Sequence, residues 1–246
     1  MSSHDHFSLQ ATEYARFRPT YPTLLYEWLC DQSAQRGVAW DCGCGSGQAT
    51  VGLAEWFAEV IGTDLSASQI AQAPVIPNVR WKVCRAEESG LASQSVDLIT
   101  VAQALHWFDL TVFWQEVRRI LKPGGLVAVW SYGRFQIADR EVQSICDHFY
   151  DEVVGEFWPK ERKIVEAGYD ALTFPFDELS PHPMEIVAAW SLGELLGYFS
   201  TWSATVCCAQ TKGSSPIPDL AEKLRQSWRE GERRVRWPIS IRVGRV

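Results

Sequence analysis

The sequence predicts an α/β fold, doubly wound around a mostly parallel sheet, and three observations carry that prediction. Short apolar runs rich in β-branched residues alternate with segments of helical period between residues 38 and 131. A glycine-rich turn at residues 43–47 follows the first of these runs directly. The run VDLITVA at residues 96–102 is almost continuously apolar, as a central strand buried on both faces requires. Strands separated by helices pair in parallel through right-handed crossovers, because the twist of the strand leaves the helix only that way back onto the sheet.

Taken in order, the first forty residues read as two helices. The second begins after Tyr21-Pro22, where proline suits a helix start, and carries Leu24, Leu25, Trp28 and Leu29 on one face. Val38-Ala39-Trp40 is a short buried strand. A helix is expected over residues 49–58, with Val51, Ala54 and Phe57 on a common side. Residues 60–63 form the second strand, closed by Asp64. Ser66-x-x-Gln69 has the form of a capping box, and Pro74 and Pro77 end the helix that it opens. Residues 79–84 are the third strand and residues 96–102 the fourth. Asp109 caps a helix carrying Phe113, Val117 and Ile120. Lys122-Pro123-Gly124-Gly125 breaks that helix and turns into a fifth strand at residues 126–130. Beyond Ser131 the pattern loosens. Residues 139–168 are helical in period, residues 171–176 are expected as a sixth strand, residues 190–205 as an apolar helical stretch, and residues 235–243 as the last strand.

Composition narrows the class. The chain has 246 residues, 46% of them hydrophobic, enough for one sizeable core. A net charge of −7 argues against a nucleic-acid partner, which would call for a basic surface. The start, MSSHDHFSLQ, lacks the apolar core of a secretory leader, and no run of about 18 apolar residues suggests a membrane span. Seven cysteines without secretory features fit a reduced, cytoplasmic setting. Cys42-x-Cys44 and Cys207-Cys208 lack partners at zinc spacing, so no metal is expected.

Residues 38–47, VAWDCGCGSG, carry the chemistry. Gly43, Gly45 and Gly47 directly after a strand let the backbone turn sharply and come close to a ligand. Open parallel sheets bind ligands at the carboxyl ends of their strands, where strand order reverses. Asp64 ends the next strand and is placed to accept from both hydroxyls of a ribose; Ser66 supplies the helix cap, which leaves Asp64 for that task. A dinucleotide fingerprint needs Gly or Ala where Gln48 or Thr50 stands, and no Gly-Lys-Ser/Thr follows, so neither NAD(P) nor a P-loop nucleotide fits. Asp41 is expected at the mouth of the turn, where it would repel a pyrophosphate and suit a ligand bearing an ammonium and a sulfonium. These electrostatics favour S-adenosylmethionine.

Several segments together resemble the class I methyltransferases, specifically the small-molecule group known as methyltransferase type 11. They are DCGCGSG at 41–47, Asp64, Ala86-Glu87, SVDLITVAQALHWFD at 95–109 and LKPGG at 121–125. The opening YARFRPTYP at 14–22 and the closing VRWPISIRVGR at 235–245 look like the branch related to trans-aconitate methyltransferases. The resemblance implies a seven-stranded sheet with its last strand antiparallel and a helical cover over the substrate site. It implies that Gly43, Gly45 and Gly47 pack against S-adenosylmethionine, that Asp41 supports the methionine part and that Asp64 holds the ribose. Ala86 and Glu87 would face the adenine edge, and Gln103 and Ala104 would line the methyl region. Tyr14 and Arg18 would reach the cofactor carboxylate. Arg85 stands where many relatives have an Asp that contacts the adenine amine.

The activity expected is methyl transfer to a small-molecule acceptor, a carboxylate being one candidate, by direct in-line displacement. His106 is the candidate general base, and its alternative role is to shape the pocket. Trp107 is pocket wall or core. Arg134 (with Arg16 as an alternative) is the candidate clamp for a carboxylate. The chain is expected to be one domain, with N-terminal helices at 1–36, a cofactor-binding core at 37–131 and sheet completion and substrate cover at 132–246. No obligate protein partner is indicated. Two rivals stand beside this reading. One is a non-catalytic S-adenosylmethionine-binding protein; the other is an NAD(P)-dependent oxidoreductase, which Asp41 and the missing fingerprint glycine disfavour.

Overall fold

The structure is a computed structural model that describes residues 17–246. The chain packs into two compact units. The larger comprises Thr20–Gly133, Lys163–Glu185 and Pro238–Val246. The smaller comprises the described residues up to Pro19 together with Arg134–Arg162 and Ile186–Trp237.

The larger unit is built on parallel strands β1 (Val38–Cys42), β2 (Glu59–Asp64), β3 (Val79–Val83), β4 (Val96–Ala102) and β5 (Leu121–Tyr132). Their order is β3-β2-β1-β4-β5, so strand order reverses between β1 and β4. The last strand, β9 (Arg233–Arg245), runs antiparallel to β5, with Tyr132 opposite Ile239 and Leu126 opposite Arg245. This is the open, mixed α/β sheet that the alternation of strands and helices predicts. Further pairings bring the strands of the whole sheet to nine: β6 (Gln136–Ile137) and β7 (Asp177–Leu179) pair antiparallel with β9, and β8 (Met184–Trp190) also pairs with it. The expected sixth strand at 171–176 is corrected. There Phe174 and Phe176 turn their rings onto Trp114 at 5.6 and 5.3 Å, and pairing starts only at Asp177.

Helix α1 (Thr23–Gln32) follows Pro22 as expected, but its buried face is Leu25, Tyr26, Leu29 and Cys30, and Leu24 is 53% exposed. Helix α2 spans only Gln48–Ala54, burying Ala49, Thr50 and Leu53 and leaving Val51 outward. Both misplacements are a shift of the buried stripe by about one residue. Tyr26 explains them jointly: its ring lies where a Cβ at Gly52 would be, within 2.4 Å, so this pair sets the rotation of both helices. Helix α3 (Ala67–Ile70) is one turn, with Ser66 Oγ accepting from the Gln69 N–H. In α4 (Leu110–Ile120), Asp109 Oδ1 accepts from the N–H groups of Thr111 and Val112, and Phe113, Val117 and Ile120 are fully buried. Strand β5 begins earlier than expected, at Leu121 opposite Val96. It then bulges through Lys122–Gly125 and resumes with Leu126 opposite Leu98. Lys122 and the Val38 N–H both bond Asp97, at 2.7 and 2.8 Å, which ties the amino ends of β1, β4 and β5 together.

The smaller unit contains α5 (Arg140–His148), α7 (Leu192–Ser200), α8 (Ser203–Lys212) and α9 (Ile217–Trp228); all of α6 (Arg162–Glu166) but its first residue belongs to the larger. Its interior is aromatic: Trp190, Trp202, Trp228 and Trp237 are buried, with Trp190 against Trp237 at 4.8 Å and Phe199 against Trp202 at 4.6 Å. These tryptophans are core in this unit. Among the described residues no helix is long and apolar enough to cross a membrane.

Candidate functional site at the carboxyl edge of β1, β2 and β4

The reversal of strand order opens the sheet at the carboxyl ends of β1 and β4, and the glycine-rich turn leaves β1 there. Gly43 has φ +68°, and a Cβ on it would stand 2.6 Å from the Ala104 Cβ and 3.0 Å from the Phe108 ring. That glycine lets the turn lie flat against the segment leaving β4. Gly45 has φ +57° and faces open space: the nearest atom to a Cβ there is Gln69 Oε1, at 3.9 Å. Gly47 precedes α2 and packs against the Trp81 ring. The Trp81 ring also covers Gly62, so this side chain, which the sequence reading did not single out, forms the floor under the turn.

Asp64 is the latch of the turn. Its Oδ2 accepts from the Gly45 N–H at 2.9 Å and its Oδ1 from the Ser66 N–H at 2.8 Å. Ser66 supplies the helix cap as expected, and Asp64 holds the turn in addition. A carboxylate has about four lone-pair sites, so two backbone donors leave it able to accept further hydrogen bonds.

Asp41 also differs from expectation. It is not at the mouth of the turn but fully buried, its Oδ2 accepting from Thr50 Oγ1 at 2.6 Å and its Oδ1 from Thr100 Oγ1 at 2.9 Å. The parallel register sets Asp41 opposite Thr100, and α2 brings Thr50 over it. Burial pushes its carboxyl up to about 6, against the pull of the two threonine hydroxyls; the nearby Asp64 adds to the rise. Asp41 thus braces β1, β4 and α2 from within. Thr50 and Thr100 were missed, although Thr100 is the one uncharged polar residue in VDLITVA, a signal that a buried partner exists.

After β4 the chain passes through Gln103 at φ +60°, whose N–H donates to Trp130 O and whose Nε2 donates to Tyr132 O, at 2.9 and 3.0 Å. A 3-10 turn, Leu105–Trp107, follows. His106 is half-buried, with Nδ1 hydrogen-bonded to the Tyr169 hydroxyl at 3.1 Å. Trp107 is 37% exposed and its ring lies 4.7 Å from that of His106, so it is not core. Ala86 is buried; Glu87 Oε1 accepts from the Asp109 N–H at 2.9 Å and its Oε2 lies 3.5 Å from Arg85. Glu87 therefore helps to hold the start of α4.

Two expected residues belong to the smaller unit. Arg18 donates to Thr201 O at 3.4 Å and lies over the Tyr198 ring. Arg134 grips both oxygens of Asp151 and stacks on Tyr150 with its guanidinium carbon 4.0 Å from the ring centre; it holds the Asp151 carboxyl below the usual range. Its fork thus holds a carboxylate of the chain itself. Tyr14 and Arg16 lie outside the described residues.

Comparison with known proteins decides the family. The methyltransferase domain family matches residues 40–129. A Dictyostelium discoideum protein named as a methyltransferase is 35% identical over 230 residues, 92% of this chain and 87% of its own length. The chain belongs to the class I methyltransferases. A solved structure described as a type II methyltransferase from Anaeromyxobacter dehalogenans is 45% identical, with a TM-score of 0.87 over 93% of this chain and 98% of its own. The Saccharomyces cerevisiae protein CRG1, named as an S-adenosylmethionine-dependent methyltransferase, is 31% identical over 141 residues, 54% of this chain and 48% of its own.

The cofactor of the methyltransferase is S-adenosylmethionine, and the residues of the turn fit such a ligand. Gly45 leaves a space that a Cβ would enter, and Ser46 Oγ and Gln48 Nε2 are buried without a hydrogen-bond partner among the described residues. Buried polar atoms left unpaired are costly, which suits a loop that completes its bonding with a ligand.

Proposed function

We propose that this methyltransferase transfers a methyl group to a small-molecule acceptor at the carboxyl edge of β1 and β4. The observation that carries the proposal is the latched turn, in which Asp64 holds Gly45 while the loop keeps open space and unpaired polar atoms. In this reading Gly43, Gly45 and Gly47 cradle S-adenosylmethionine and Asp64 accepts from the ribose hydroxyls. Ala86 and Glu87 border the adenine, and Gln103 and Ala104 border the methyl region. Asp41 contributes by holding the turn rigid. S-adenosylmethionine supplies a methyl group already activated on a sulfonium. The protein's share is then orientation and exclusion of water, with Trp107 as a wall of the acceptor pocket.

The acceptor is proposed as an organic carboxylate, in line with the ends of the chain that resemble trans-aconitate methyltransferases. A carboxylate arrives deprotonated and asks for no base. One observation favours a second reading, a hydroxyl acceptor: the bond between His106 and Tyr169 orients an imidazole that would take the hydroxyl proton. A cytoplasmic location fits the seven free cysteines. The test is turnover with S-adenosylmethionine and matched panels of organic acids, phenols, alcohols and amines, scored by S-adenosylhomocysteine release and product mass. Methyl esters from the acids support the first reading, and methyl ethers abolished by His106→Asn support the second. Release with amines alone would refute both. Arg134→Ala is expected to leave turnover of the acids within about twofold, because an exposed ion pair such as Arg134–Asp151 contributes roughly 1 kcal/mol or less.

A further inference from the structure

Of the four non-glycine residues with positive φ among those described, one is hydrogen-bonded to the His106 ring and another precedes it closely in sequence. Gln103 stands three residues before His106, and Tyr169, at φ +67°, bonds the His106 ring. A tyrosine in the left-handed region is a steric outlier that persists only where its surroundings fix it. Here they do. The preceding Gly168 has φ +65° and lies so close to Ser240 that a Cβ would sit 2.6 Å from its side chain. The Tyr169 N–H donates to Ile164 O at 3.2 Å, and its carbonyl accepts from Arg242 at 3.2 Å. Arg242 also donates to Leu172 O at 2.8 Å and pairs with Glu178, whose carboxyl it holds below the usual range. The Tyr169 ring is buried and lies 5.9 Å from the imidazole.

We propose that Tyr169 is a positioning residue for methyl transfer: its hydroxyl accepts from His106 Nδ1–H and so keeps Nε2 as the proton-accepting atom. In a neutral imidazole the bond made by one nitrogen decides which nitrogen carries the proton. This rests on the reading of His106 as the base for a hydroxyl acceptor. The hydroxyl proton then passes to Nε2 as the acceptor oxygen bonds the methyl carbon and the carbon–sulfur bond of S-adenosylmethionine breaks, its electron pair staying on the sulfur of S-adenosylhomocysteine; the imidazolium is held by its Nδ1–H bond to Tyr169. The pairing links residues 63 positions apart, which hides it from any local motif.

The test is the ring of His106 followed by long-range 15N–1H correlation in the full chain and in Tyr169→Phe. The wild type is expected to show one neutral tautomer, protonated at Nδ1. Tyr169→Phe is expected to mix in the Nε2–H form, to lower kcat about tenfold with KM within about twofold, and to leave S-adenosylhomocysteine affinity unchanged. A wild-type ring protonated at Nε2 overturns the proposal even if the variant fails to fold. An unaltered ring in a folded Tyr169→Phe overturns it as well. Failure of the underlying reading looks different: His106→Asn would then keep full kcat, whatever the ring shows, and the catalytic role of the pair would fall.

Discussion

Neutralising Asp41 should change how stability depends on pH. The carboxyl has an ordinary value of 3.8 and is pushed up to about 6 in the fold, because the side chain has no exposure and two hydroxyl donors offset burial only in part. Between those values the unfolded chain has lost the proton while the folded chain still carries it. The folded state therefore binds more protons, and stability falls as pH rises through that window. The difference between 3.8 and about 6, at 1.36 kcal/mol for each pH unit, corresponds to about 3 kcal/mol of stability lost by pH 7. Carboxyls held low by their partners, Asp151 by Arg134 and Glu178 by Arg242, change in the opposite sense, so the wild-type curve alone mixes both effects. The assay is urea unfolding of wild type and Asp41→Asn at half-unit intervals from pH 3.5 to 7.5. Asn cannot titrate, so the difference between the two curves isolates Asp41. Wild type should lose about 2.5 kcal/mol relative to the variant between pH 4 and 7, with most of the change between pH 4 and 6. Parallel curves would refute the reasoning, because they would mean that Asp41 titrates alike in the folded and unfolded chain.

Two further outcomes follow from the geometry. Gly43→Ala places a Cβ 2.6 Å from Ala104 at a positive φ, and should cost about 2–4 kcal/mol in denaturant unfolding while weakening S-adenosylhomocysteine binding. Asp109→Ala removes the acceptor for two N–H groups at the start of α4 and should cost about 1 kcal/mol, lowering the thermal midpoint without altering cofactor affinity.

Much of the fold was legible because it depends on local rules. The run at Val96–Ala102, the Asp109 cap and the glycines after β1 each state their geometry within a few residues. The helix faces were less so: Leu24 and Val51 fit a helical stripe as well as their neighbours do, and only Tyr26 against Gly52 decides the rotation. Residues 171–176 read as a strand because aromatic residues favour strands, yet Phe174 and Phe176 are taken up by Trp114. At the site, the sequence located Asp41 and Asp64 at the right strand ends but misjudged their bonding. Partners such as Thr50, Thr100 and the Gly45 N–H become visible only when strands and loop are assembled. The same holds for Arg134, whose fork is filled by Asp151 through a contact that charge pattern alone does not reveal.

The claim at the centre is that the turn latched by Asp64 binds the methyl donor. Calorimetric titration of S-adenosylhomocysteine into wild type and Asp64→Ala tests it most directly. Wild type should bind, and the variant should bind about 10- to 150-fold more weakly, the loss of about 1.5–3 kcal/mol typical of hydrogen bonds to a charged group. Equal affinity in the two proteins, or no heat from wild type while NADH binds, would contradict it.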